Sequence, residues 1–326
     1  MWLTSVLAML CWSGSDIFSK AGTKLNDKRS HYKVGIAVGL IMGLHAIYMI
    51  TLGGTPFAFS DILVYLPASI FYIASMLIGY IGLRYIELSI SSPICNTSGA
   101  LALIFSLLYF GVKWVDDDSD AIFLNAPIII GVVLIVLGVV SLGFVDYHEN
   151  EEAREARQSS GGRKYTKSLL AILLPVIYCL LDACGTFVDT LIADNYTAKL
   201  LEKDPTLSEE AADLLCGDIL NTAYEFTWMF MAIIFLIYVF AIRREKPDLR
   251  YDGTKLLGGV CETVGQVFYM MVVVSDYKVG LVIISAYCLL SMVWSRIFLK
   301  EKLSVKHYLA LAAALIGIVI LGIYDV

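Results

Sequence analysis

The chain has 326 residues, of which 58% are hydrophobic and 17% charged, with a mean hydropathy of +0.75. Soluble domains carry about 25% charged and roughly 45–50% apolar residues, so an ordinary soluble protein is excluded. The net charge of −6 argues against a nucleic-acid partner.

The apolar residues gather in runs of about twenty, the length that crosses a hydrocarbon core of roughly 30 Å. In chain order the ten runs are 2–20, 34–52, 62–83, 90–111, 126–145, 168–192, 216–241, 255–275, 279–299 and 306–324. Most are apolar nearly all round, whereas a soluble helix keeps a polar face. The first run follows Met1 with no basic segment and no small-residue cleavage site, so it reads as a retained span. Backbone groups in lipid must pair internally, and the alternating strands of a barrel are absent. The predicted fold is all-α: a polytopic membrane protein with ten transmembrane helices.

The seven cysteines lie within or at the edges of runs, with no CxxC, which implies neither a disulfide framework nor a zinc site. No metal and no cofactor are expected. Asn195-Tyr196-Thr197 fits a glycosylation acceptor, a pattern with meaning only in a secreted eukaryotic context.

The loops predict orientation. Loops 1–2, 3–4, 5–6, 7–8 and 9–10 hold twenty of the 24 basic residues, and the other side holds Lys113, Lys199, Lys203 and Lys278. By the positive-inside rule the twenty face the cytoplasm, and both termini lie outside. The expected location is the plasma (inner) membrane.

Two stretches repeat. LGVVSLGFVD (137–146) aligns with IGIVILGIYD (316–325), pairing Gly138 with Gly317, Gly143 with Gly322 and Asp146 with Asp325. Equivalent loops of the two halves differ in charge sign: loop 1–2 is basic and loop 6–7 acidic, loop 4–5 acidic and loop 9–10 basic. Five helices per half would invert the second half and give this reversal. The chain is therefore expected to be two inverted five-helix repeats, 1–146 and 168–326, joined by a charged loop at 147–167. Secondary transporters often follow this plan, with the substrate near the midplane between halves.

Three stretches carry a family likeness: WSGSDIFSKAG (12–22), LRYIELSISSPICNTSGALALIFSLLYFG (83–111) and YKVGLVIISAYCLLSMVWSRIFLKEKLS (277–304). With the ten-helix pattern, they make the chain resemble the drug/metabolite transporter (DMT) superfamily, specifically its EamA-like carriers. The resemblance implies a small-solute carrier whose helices six and eight line a central cavity. There are two departures. Family helix nine usually carries a mid-helix Pro, and ISAYCLLS (284–291) has none. External termini also run against the usual family expectation.

Acids inside these runs are the candidate site. An Asp at the bilayer centre costs roughly 2.5–3.5 kcal/mol on insertion scales, and such residues mark substrate or proton paths. Asp182 is nearly central in run six, and Asp189 lies seven residues on, about 10 Å away at 1.5 Å per residue. Tyr178 and Gly185 share their helix face. Run eight has Glu262, Gln266 and Tyr269 on one face, run one has Trp12 and Asp16, run three has Tyr65 and Tyr72, and run four has Asn96 and Ser98. Some acids have plainer explanations. Asp16 and Lys20 are spaced as a favourable helix ion pair. Glu225 of run seven sits early in its helix, where the dipole suits a carboxylate. His45 of run two fits a packed polar residue.

Asp182 and Glu262 have no basic residue near mid-span, so they are expected to bind a proton, an amine or both in turn. Trp12, Tyr72 and Tyr269 are expected to wall the site for cation–π contact. The expected partners are a small-molecule substrate, cationic in this reading, and the lipid bilayer, with a homodimer left open. The competing classes are a membrane enzyme, a channel and a non-transporting sensor or scaffold. The enzyme lacks support: the four histidines are scattered, and no HExxH, GxSxG or phosphate loop occurs.

Overall fold

The computed structural model describes residues 2–115, 121–159, 165, 168–274 and 278–324. Asp325 of the repeated stretch, the acidic run at 116–120, and Arg163, Lys164 and Lys167 lie outside the described residues.

The described residues are all-α apart from one pair of two-residue strands, β1 (Val112–Lys113) and β2 (Ile122–Phe123). Helices α1 (Trp2–Gly22), α2 (Ser30–Thr51) and α3 (Ser60–Gly82) cover the first three apolar runs. Run four is two helices, α4 (Leu88–Cys95) and α5 (Ser98–Phe110), and α6 (Ala126–His148) is run five. A short polar helix, α7 (Glu151–Gln158), lies in the inter-repeat loop. Runs six to eight are α8 (Leu169–Lys203), α9 (Glu209–Leu236) with a π-helical extension to Ile242, and α10 (Leu249–Val274). Run nine is α11 (Lys278–Ser285) and α12 (Tyr287–Trp294), and run ten is α13 (Val305–Tyr324). Among the described residues, seven helical segments are long and apolar enough to cross a membrane: α2, α3, α4–α5, α6, α8, α9 with its extension, and α13.

Three boundaries differ from the sequence-based expectation. Helix α8 runs eleven residues past the end of its apolar run, because nothing from 193 to 203 breaks a helix. Its 35 residues span about 52 Å, well beyond a hydrocarbon core. Helix α9 starts early because the Ser208 hydroxyl caps the Ala211 amide at 3.3 Å and Glu209 and Glu210 complement the helix dipole. Helix α7 starts at Asn150, which accepts from the Ala153 amide at 2.7 Å, with acids in its first turn and Arg157 in its last.

Run nine breaks at Ala286 without a proline. Asn96, in the break of run four, donates from Nδ2 to the Ser285 carbonyl at 2.7 Å, so the two breaks face each other and one satisfies the other. The helices pack α1 on α10, α3 on α8, α2 on α9, and α6 on α13, with α4 against both α12 and α8. The paired glycines of the repeated stretch make the α6–α13 crossing close. A Cβ on Gly138 would sit 2.5 Å from the Ala314 nitrogen, and one on Gly317 would sit 2.6 Å from the Gly131 oxygen.

Side-chain contacts bring the five basic loops to one end. Lys24 pairs with Asp248 and Arg29 with Glu245, joining loops 1–2 and 7–8. Lys33 reaches Glu245 at 2.8 Å and Asp27 at 3.0 Å. A cleft of about 270 Å³ lies among these residues. Arg84 donates to the Leu25 carbonyl at 2.9 Å, tying loop 3–4 to loop 1–2. Buried Lys20 donates to the Leu83 carbonyl at 2.7 Å and to that of Ile86, at the C-terminal end of α3 where a cation is favoured.

Helix α7 joins loops 3–4 and 9–10. Arg157 Nη1 donates to Glu87 Oε2 at 2.6 Å and to the Lys302 carbonyl at 2.7 Å, while its Nη2 reaches Glu149 at 2.9 Å. Arg154 meets Asp146 at 2.7 Å. Asp146, Glu149 and His307 bring possible metal-ligand atoms within 4.8 Å of one another, but these two guanidinium groups already supply the positive charge there. At this end Glu87, Asp146, Glu149, Glu245 and Asp248 are matched by bases, while Glu301 is held by the Leu88 and Ser89 amides and the Ser89 hydroxyl. The Lys24 ammonium holds the Asp248 carboxyl below its ordinary range. Burial works against the charge on Glu245, yet hydrogen bonds from Lys33 and Arg29 outweigh it and hold that carboxyl low as well.

Candidate functional site

The interior is the reverse case. Asp182 of α8 accepts from Ser98 Oγ of α5 at 2.7 Å and from Ser75 Oγ of α3 at 3.3 Å. Asp16 of α1 accepts from Ser92 Oγ of α4 at 2.6 Å and Ser291 Oγ of α12 at 2.7 Å. Glu262 of α10 faces Ser15 of α1, and Asp16 and Asp182 both lie within its electrostatic range. Asp189, two turns beyond Asp182, accepts from Tyr65 at 2.7 Å and Tyr72 at 3.5 Å. Among the described residues none of these four carboxylates has a Lys or Arg partner. Asp16 and Lys20, spaced as an ion pair, go to different partners: two serines for the acid and two carbonyls for the base.

Aromatic groups surround the three central acids. The Trp12 ring lies 5.1 Å from that of Tyr269 and 5.7 Å from that of Tyr287. Trp12 Nε1 and the Tyr80 hydroxyl are buried without a protein partner, and Tyr80 lies within electrostatic range of Glu262 and Asp16. Tyr178 is within range of Asp182 and Glu262. It packs on Gly79 of α3, while Tyr72 of α3 packs on Gly185 of α8; each glycine leaves the space its neighbour's ring fills. Tyr72 stands with Asp189 and Thr186, with its ring 5.8 Å from that of Tyr224, and Asp182 and Tyr269 lie within its electrostatic range.

The structure thus gathers Asp16, Asp182, Glu262, Trp12, Tyr178 and Tyr269 around one centre. Gln266 points from that helix face to Asn221 of α9, donating at 3.2 Å. Asn96 holds the break in run nine, and its amide also meets Cys288 Sγ at 3.4 Å. Sequence reasoning picked out Tyr65 and Ser98 as polar positions in their runs and missed the other hydroxyls that face the acids: Ser15, Ser75, Ser92 and Ser291, with Tyr80. A signal existed in SISSPICNTS (89–98), where hydroxyls crowd an otherwise apolar run. What each one faces depends on helices far away in the chain.

Residues 221–323 match the model of the EamA-like transporter family, a domain of the drug/metabolite transporter superfamily. The match spans α9 to α13 and includes Glu225, Glu262, Gln266 and Tyr269; Asp16 and Asp182 lie outside it. A comparison with curated proteins finds no match. With its apolar helices, the chain is an integral membrane protein, and its residues 221–323 are similar to the EamA-like transporter model.

Proposed function

We propose that this chain is a secondary carrier that binds a cationic small molecule, an amine-containing metabolite or drug, at Asp16, Asp182 and Glu262. It moves that solute across the plasma membrane by alternating access and exchanges it with protons at the same acids. One observation carries this: three convergent carboxylates inside a membrane protein face neutral hydroxyls, and among the described residues none has a Lys or Arg partner. Hydroxyls solvate a carboxylate without cancelling its charge. Leaving a buried charge uncompensated is costly, so a proton or a bound cation supplies the balance. Trp12 and Tyr269 add ring faces beside it, which favour an organic cation.

The architecture in this proposal is ten spans in two inverted halves, 1–146 and 168–326, linked by 147–167. The packing supports it. Exchanging the halves turns the α1–α10 pair into the α8–α3 pair and maps α2–α9 and α6–α13 onto themselves. Asp16 and Asp182 then stand on matching helices, each held by two serine hydroxyls. Five basic loops at one end support a cytoplasmic position for that end, with both termini outside in this proposal.

The test is thermal stability of the purified protein against amines, amino acids, sugars and nucleosides at about pH 6 and about pH 8. A ligand at a hundred times its Kd adds about 2.7 kcal/mol to the folded state. A cation hit that vanishes in Asp182→Asn supports the site. A hit confined to neutral or anionic solutes keeps a carrier and removes this site. Counterflow in vesicles separates a carrier from a sensor or channel, because a carrier alone accelerates exchange when substrate is present on the far side.

A further inference from the structure

Gln266 connects the central acids to a fifth membrane-embedded carboxylate. Its Nε2 donates to Asn221 Oδ1 at 3.2 Å, and Asn221 Nδ2 donates to Glu225 Oε1 at 3.2 Å. Both Glu225 oxygens then face His45 Nδ1 of α2, at 2.9 and 2.8 Å. The Glu225 side chain is 0% exposed and that of His45 20%. A continuous chain therefore runs from a partly exposed imidazole, through a buried carboxylate and two amides, to a residue one helical turn from Glu262. Among the described residues this is the one membrane-interior acid with a basic partner, and that partner can lose its charge.

The chain has a direction, and the direction depends on Glu225. An ionised carboxylate only accepts hydrogen bonds. It draws the Asn221 amino group, which leaves the Asn221 oxygen for Gln266. Gln266 must then spend its own amino group on Asn221, and its Oε1 remains free as an acceptor. A protonated Glu225 can donate to the Asn221 oxygen instead. The Asn221 amino group then turns to Gln266 Oε1, and Gln266 has only N–H donors left to present. An acceptor suits a neighbouring cation, and a donor repels one.

We infer that Glu225, paired with His45, is a second proton-binding site, and that Asn221 and Gln266 convert its charge state into the hydrogen-bonding polarity of the central site. This rests on the proposed cation site for its consequence but not for its mechanism. A proton on Glu225 weakens cation binding, and by linkage a bound cation expels that proton. The groups that face the pair are His45 and Tyr48 of α2, with rings 6.1 Å apart, and Asp218 and Tyr224 of α9. Through Tyr224 they include Tyr72 of α3, Asp182 of α8 and Glu262 of α10.

The test uses the full-length protein in detergent with tetraphenylphosphonium as the cation probe, titrated between about pH 5.5 and pH 8. In the unaltered protein, affinity falls on acidification. In Glu225→Gln and in Asn221→Leu the slope flattens by about one proton, a change of about tenfold per pH unit. Difference infrared spectra of the same samples follow the relay directly. The carboxylic-acid band gained on acidification loses a component in Glu225→Gln but keeps it in Asn221→Leu, while the accompanying side-chain amide change disappears in both. An unchanged slope in folded Asn221→Leu overturns the inference. So does a carboxylic-acid band that Glu225→Gln leaves intact. If tetraphenylphosphonium does not bind at any pH, the central cation site fails for this class of cation, and the infrared arm still decides the relay by itself.

Discussion

The protein treats its acids in two ways. At the loop end, Glu87, Asp146, Glu149, Glu245 and Asp248 each meet a Lys or Arg. In the interior, Asp16, Asp182 and Glu262 meet serines. The first arrangement is closed: charge is cancelled, and the loops are tied together. The second is open: geometry is fixed while charge is left to be balanced. A site that must load and release a cation needs the open kind, because a resident Lys or Arg would compete with the ligand for the same oxygens.

Four substitutions would break or sharpen that contrast. The largest effect is expected for Arg157→Ala, which takes the guanidinium away from the buried Glu87 carboxylate and leaves Glu149 only the more distant Arg154 as an ion-pair partner. Removing one partner of a buried pair typically costs about 3–5 kcal/mol, read as a large drop in melting temperature. Adding Glu87→Gln should recover part of that loss, and the absence of any recovery would show that the pair itself is not what matters. Glu262→Gln comes next and should act oppositely. Cation affinity is expected to fall about a hundredfold, roughly 2.7 kcal/mol, while melting temperature holds or rises, because a neutral amide is cheaper to bury. A sharp loss of stability instead would place Glu262 with the structural acids.

Ser98→Ala is a smaller perturbation of the interior. It leaves one Asp182 oxygen without its 2.7 Å donor and should cost about 1–3 kcal/mol. That cost should shrink in an Asp182→Asn background, which a double-mutant cycle measures. The smallest effect belongs to Asp248→Asn. An exposed ion pair adds little at neutral pH, and high salt should erase the difference between variant and parent. The sign with pH follows from a carboxyl held low by Lys24: its contribution is present above the ordinary Asp range, near pH 4, and is lost as pH falls through the lower folded value. A difference that grows on acidification would contradict the pairing.

The helices were legible in the sequence because partition into hydrocarbon is a local property of about twenty residues. The described part of each of the ten apolar runs is helical apart from the breaks at 96–97 and 286 and single residues at run ends. Helix ends were less legible. The extension of α8 to Lys203 has no hydrophobic signal and needs only the absence of a breaker. The break at Ala286 also carries no local mark; it is matched by Asn96, some 190 positions earlier in the chain. For the site, the acids themselves stood out because charge inside an apolar run is conspicuous. Most of their serine donors did not, because serine is unremarkable in a membrane helix until its neighbour is known. Glu225 was readable as a helix-dipole carboxylate, but α9 begins at Glu209, so Glu225 lies mid-helix beyond the reach of the helix N-terminus, and His45 and Asn221 at hydrogen-bond distance give it another role.

The sequence by itself determined that the chain is helical and membrane-embedded, with acids in its apolar runs and bases concentrated in alternate loops. Hydropathy, chain length and charge are properties of single residues and short windows, so no folding is needed to read them. Only the tertiary structure decided which acids are paired with bases and which are left to hydroxyls. Those contacts join residues as far apart as Asp16 and Ser291, and a hydrogen bond is set by ångström distances that no spacing along the chain encodes.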